Sequence, residues 1–173
     1  GSRAVGKTTT GRRLAESVNR PFLDLDARVL ADLSADSVVE AWRRHGEDAW
    51  RASEVRMLAT ALAEPSAIIA LGGGVVTIPA ARTMLADARR RGGAVVIWLQ
   101  ASPEVVIDRL ERERGDRPSL TGADPAQEIA EVMRNRARDY GEVSDLTIDV
   151  SVRTVESVVS EIQASLDERR IDR

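Results

Sequence analysis

An α/β domain with a mainly parallel sheet is the fold class this sequence predicts, and three observations carry the prediction. Short apolar runs alternate with longer helical patterns, as βαβ units require. A glycine-bounded loop at residues 1–8 opens directly into a helical pattern, as at the head of a phosphate-binding unit. The 173 residues, 43% of them hydrophobic, suit one domain with a sizeable core rather than two.

Taken in order, Gly1-Ser2-Arg3-Ala4-Val5-Gly6-Lys7-Thr8 fits G-x-x-x-x-G-K-[ST], the P-loop, whose glycines let backbone N–H groups turn inward around a polyphosphate. The periodic Leu14, Ala15 and Val18 then predict a helix over Thr8–Val18, its positive end facing the same anion. Strands are expected at Pro21–Leu25, Ala67–Leu71, Ala94–Leu99 and Leu146–Val150. The remaining helices are expected at Asp26–Asp32, Ser37–Arg44, Ala49–Ala63, Pro79–Arg91, Pro103–Arg112, Pro125–Tyr140 and Val155–Arg169. A P-loop normally follows a buried strand, and nothing precedes Gly1; the expectation is a chain cut at the motif, with a late gene start or an atypical sheet as alternatives.

Composition narrows the function. The net charge of −3 mixes 25 basic with 28 acidic residues along the chain, which leaves no electrostatic footprint for nucleic acid. Aromatic residues at 3% argue against base-stacking platforms. The absence of cysteine excludes disulfides, thiolate metal sites and cysteine nucleophiles. No window offers the roughly 18 uncharged apolar residues of a membrane span, so a cytoplasmic enzyme is expected.

In open parallel sheets ligands collect beyond the carboxyl ends of the strands. Asp24 and Asp26 follow the first visible strand at i and i+2; one can serve Mg²⁺ while the other accepts a hydrogen bond from a substrate hydroxyl, and both also read as helix-start acids. Arg51 and Glu54 share one helix face, either as a solvated ion pair or as a guanidinium offered to a substrate carboxylate and held by Glu54. Gly72-Gly73-Gly74, directly after an apolar strand, removes side chains where a ligand can approach backbone. The loop at about 112–124, bounded by Gly and Pro and carrying Arg117, reads as a lid that brings positive charge to a transferring group. Arg134, Arg136 and Arg138 point in different directions, so one or two at most face a common site. His45 has no metal-ligand neighbour and reads as a surface residue, and Trp98 as core.

The ordered set GKTTTGRRLA, FLDLDARV, GEDAWRASE, ALGGGVV, RPSL and RNRARDY resembles the shikimate kinases over almost the whole chain. The resemblance implies a three-layer P-loop kinase fold like that of nucleoside monophosphate kinases, with a five-stranded sheet whose first strand is missing here, plus a lid. It implies one domain over 1–173, with the substrate-binding region at about 26–54. ATP and Mg²⁺ are the implied cofactors, shikimate the substrate, and a cytoplasmic monomer the form. Gly1, Ala4, Val5, Gly6, Lys7, Thr8, Thr9, Arg109, Arg117 and Arg153 are implied for nucleotide binding, with Thr8 and Asp24 at the metal. Asp26, Lys7 and Arg117 are implied in catalysis; Asp26, Arg51, Gly72, Gly73, Gly74 and Arg136 are implied to bind shikimate. Two departures concern side chains: Trp50 replaces a usual Phe, enlarging a wall close to the substrate, and no Pro precedes Tyr140. A kinase for another small hydroxy acid such as gluconate, and a nucleotide-binding relative without turnover, are the alternatives.

Overall fold

The computed structural model describes residues 1–114 and 125–171. Seven helices and four short strands alternate in it: α1 (Lys7–Ser17), β1 (Phe22–Asp24), α2 (Leu25–Asp32), α3 (Val38–Ala63), β2 (Ile68–Ala70), α4 (Pro79–Arg90), β3 (Ile97–Gln100), α5 (Pro103–Arg114), α6 (Pro125–Val143), β4 (Leu146–Asp149) and α7 (Val155–Ile171). β1, β2 and β4 fall inside their expected segments, and β3 runs one residue past its own, to Gln100. All pairing is parallel, as apolar strands separated by helices require.

The single sheet expected from the pattern is instead two parallel ladders. β1 pairs with β2, Leu23 opposite Ile69, and β3 pairs with β4, Leu99 opposite Ile148. No described strand joins β2 to β3. The backbone of the first residues stands between the ladders' carboxyl ends: a Cβ on Gly1 would lie 2.2 Å from the Leu99 oxygen, and one on Gly73 3.4 Å from the Gly1 oxygen. Thus the P-loop sets out from between the two ladders.

The two helices expected on either side of Gly46 abut there at a kink, and together they make up α3. Gly46 adopts φ 81 and ψ 166, a region open to glycine alone, which ends one helical path and starts the next without a loop. Ser37 caps α3 by accepting the Glu40 N–H, as Asp24 caps α2 through the Ala27 N–H.

Burial follows the two ladders. Leu99, Ile148 and Val150 meet Leu14, Val106, Leu110, Val158 and Ile162 in one cluster, while Leu25, Leu58, Val75, Ala81 and Leu85 fill the other. A third, small cluster of Val29, Ala41 and Trp50 fastens α2 to α3. Among the described residues no helix is long and apolar enough to cross a membrane.

Candidate active site

The phosphate end of the site is built on backbone. Gly6 sits at φ 84 and Ala4 at φ 56, two left-handed residues that wind the loop before α1. No side chain caps α1, and its first turn carries no acid, in contrast to the capped starts of α2 and α3. Its N–H groups and dipole therefore remain available to an anion. Lys7 folds back to donate from Nζ to the Ser2 carbonyl at 2.6 Å. Burial lowers its pKa, and the charges of Asp26 and Asp24 oppose that shift. Thr8 donates from Oγ1 to Asp24 Oδ2 at 2.9 Å, so the two expected metal residues form one oxygen pair. The other Asp24 oxygen accepts the Ala27 N–H and so caps α2, as a helix-start acid does.

On the far side of the loop, Ala4, Val5, Gly6, Thr9, Arg109 and Arg153 line a single cavity of about 330 Å³. Arg109 is fixed there by donating to the carbonyls of Ala4 (3.3 Å) and Val150 (3.0 Å). Arg153 lies on the cavity wall paired with Glu161 and Ser157.

The three glycines are the hub of the opposite side. A Cβ on Gly72 would stand 2.4 Å from Asp26 Oδ1 and 3.0 Å from Glu54 Oε1; a Cβ on Gly74 would stand 2.3 Å from Arg51 Nη1. The contacts of 2.4 and 2.3 Å are closer than real Cβ atoms approach, so the space of each missing side chain is taken by a charged group. Gly73 contributes its carbonyl, which accepts from Arg136 Nη1 at 3.1 Å. Asp26, Arg51 and Arg136, drawn from α2, α3 and α6, thereby meet at one loop. Arg138 pairs with Glu142, and Arg136 is the one of the three arginines that hydrogen-bonds the glycine loop.

Electrostatics differ along this cluster. Burial raises the pKa of Asp26, and Asp24 raises it further, against the pull of Lys7, Arg3 and Arg51. Arg51 donates to Glu54 at 2.8 Å and to Glu47 at 2.9 Å. The expected Arg51–Glu54 pair is present, and Glu47 adds a second partner that the spacing did not suggest. The Glu54 side chain is 2% exposed and that of Glu47 53%. Burial raises the Glu54 pKa, opposed by Arg51 and by a hydrogen bond from Trp50. Trp50 itself is 3% exposed, inside the α2–α3 cluster.

Sequence reasoning passed over Trp42. Its half-open ring has the Arg51 guanidinium carbon 5.9 Å from the centroid, so an indole flanks the carboxylate-binding candidate. A large apolar ring at an exposed position of a charged helix was the available signal. Arg117, with most of the expected lid, lies outside the described residues. His45 is exposed, as expected.

Comparison with known proteins agrees with this geometry. The family model described as shikimate kinase matches residues 3–167. A shikimate kinase of Symbiobacterium thermophilum is 39% identical over 95% of this chain and 91% of its own length. Among solved structures, the shikimate kinase from Acinetobacter baumannii in complex with shikimate superposes with a TM-score of 0.85 at 27% identity, covering 98% of this chain and 90% of that one. A gluconokinase from Sinorhizobium meliloti reaches a TM-score of 0.56 at 19% identity over 97% of this chain and 89% of its own, which is likeness of fold alone. With a family match over nearly its whole length, the chain belongs to the shikimate kinase family.

Proposed function

We propose that this enzyme transfers the γ-phosphoryl group of ATP to shikimate, giving shikimate 3-phosphate and ADP, through the residues gathered at the glycine loop. As a family member it is a kinase with ATP as cosubstrate. The observation that carries the acceptor is the meeting of Asp26, Arg51 and Arg136 at Gly72–Gly74, within electrostatic reach of Lys7. A carboxylic acid bearing hydroxyls needs this set: two guanidinium groups for the carboxylate and one carboxylate for a hydroxyl. The shikimate-bound relative supports the same acceptor.

In the proposed reaction Asp26 takes the proton of the attacking hydroxyl as its oxygen bonds to the γ-phosphorus, and the bond from phosphorus to the ADP oxygen breaks. Lys7 and the open end of α1 stabilise charge on the transferred group. The exposed Glu47 pair is weak and gives way to the substrate carboxylate, while buried Glu54 keeps Arg51 aimed. Arg109 and Arg153 bind the nucleotide from the cavity behind the P-loop, and Arg117 adds charge from the lid. The Thr8–Asp24 oxygen pair suits a hard cation that arrives with the nucleotide, and the described residues hold no cluster of three or more His, Cys, Asp or Glu that binds one unaided. Mg²⁺, when bound there, neutralises phosphate charge. In this reading residues 1–173 act as one domain of a cytoplasmic monomer.

The test is ADP release from Mg·ATP with shikimate, gluconate and nucleoside monophosphates offered in parallel. Turnover with shikimate alone is expected; preference for gluconate would overturn the acceptor. Arg136→Ala is expected to raise KM for shikimate about tenfold through loss of a charge-assisted anchor, with ATP binding unchanged. A defect confined to ATP would remove Arg136 from the acceptor site.

A further inference from the structure

The Gly73 carbonyl serves two donors from one helix. Besides Arg136, the Tyr140 hydroxyl donates to the same oxygen, at 2.7 Å. Residues 136 and 140 stand one turn apart on the face of α6 turned toward the glycine loop. Tyr140 is 4% exposed, and its ring lies stacked on Trp98 with centroids 5.4 Å apart and planes inclined by 22°. Burial pushes its pKa up to about 12, so the hydroxyl stays a donor at any working pH. A second tie holds the segment beyond the loop, where Arg82 donates to the Val76 carbonyl at 2.7 Å and faces Asp139 of α6.

A carbonyl oxygen has two lone pairs, and a guanidinium has five N–H donors in a rigid fork. With Tyr140 on one lone pair, Arg136 has only the other, which a single N–H satisfies, and the fork also hydrogen-bonds the Tyr140 hydroxyl itself. Held at these two oxygens, the guanidinium keeps its other donors for a ligand. If the hydroxyl is removed, both lone pairs fall to the fork, and the guanidinium is drawn onto the backbone and away from the ligand.

We propose that Tyr140 is a positioning residue for substrate binding: by occupying the Gly73 carbonyl it holds Arg136 in the orientation that receives the substrate carboxylate. The inference rests on the acceptor proposed above and deepens it. Tyr140 touches no reacting atom; it acts through Arg136 and through Gly73, which lies between the two glycines admitting Asp26 and Arg51.

The experiment is a double-mutant cycle of Tyr140→Phe and Arg136→Ala, read in the KM for shikimate, in kcat and in the KM for ATP. Phe keeps the ring on Trp98, and thermal melting by circular dichroism checks that the fold survives. Tyr140→Phe is expected to raise KM for shikimate about fivefold, the effect of one hydrogen bond, with kcat and the KM for ATP within about twofold of wild type. In the Arg136→Ala background the same substitution is expected to change nothing further, because the group it positions is gone. An unchanged KM in Tyr140→Phe, or an equal penalty with and without Arg136, would overturn the positioning role, the second outcome marking Tyr140 as merely structural. Wild-type enzyme that fails to phosphorylate shikimate would instead overturn the proposed function, and this inference with it.

Discussion

Asp26→Asn is expected to lower turnover with shikimate by about 10²-fold or more while ATP affinity stays near that of the wild type. Asn retains the shape of the carboxyl group and its place against Gly72 but accepts no proton. The fold should not suffer. Burial and the Asp24 charge raise the Asp26 pKa, so the native state holds this proton more tightly than the unfolded chain does. Native stability from this group is therefore fully present below the unfolded pKa and diminishes as pH rises through the folded one; at neutral pH the buried charge is a net cost. Asn removes that cost, and Asp26→Asn should melt at or above the wild-type temperature at pH 7. Unchanged turnover, or lost activity accompanied by a lower melting temperature, would exclude the assignment of Asp26 as the base.

The same shift predicts the acid side of the pH profile. A base must be deprotonated to act, so kcat/KM should fall as pH drops through a value displaced upward from the ordinary aspartate range. The residual activity of Asp26→Asn should lack that limb.

Much of this was legible because the informative residues are local in sequence. Gly1–Thr8 spells a loop whose function lies in its own backbone, and the strand–helix alternation follows from periodicity alone. The glycine triplet announced a close approach, but what approaches it did not. Asp26, Arg51 and Arg136 lie 46, 23 and 63 residues from Gly72, Gly74 and Gly73, and only tertiary packing brings them together. Arg51 illustrates the limit. An Arg three residues before a Glu on a helix reads equally as surface pair or ligand clamp, and the difference is the burial of Glu54, which no local pattern encodes. Trp42 escaped, and Tyr140 was legible only as the end of RNRARDY, for a related reason: an aromatic residue's role depends on what its edge or hydroxyl meets. The division of four strands into two ladders is likewise a matter of pairing, on which strand sequences alone are silent.

Gly72 and Gly46 are glycines for opposite physical reasons, and replacing each by Ala separates function from stability. At Gly46 a Cβ meets nothing within 4 Å, but φ 81 with ψ 166 is strained for any L side chain. Gly46→Ala should therefore cost about 1–3 kcal/mol of stability. At Gly72 the φ is ordinary, while the added methyl would lie 2.4 Å from Asp26 Oδ1. The clashing atom is the tip of a side chain, so the carboxylate can swing away and the fold survives. The carboxylate then no longer points where the hydroxyl must lie, and displacement of a catalytic group by about 1 Å can cost 10²-fold in rate. Gly72→Ala is accordingly expected to retain a near-native melting temperature and ATP affinity while kcat falls by about 10²-fold. A Gly72→Ala enzyme with wild-type kcat would mean that the position of the Asp26 carboxylate does not matter to the chemistry, and the proposed role of the glycine loop would fail with it.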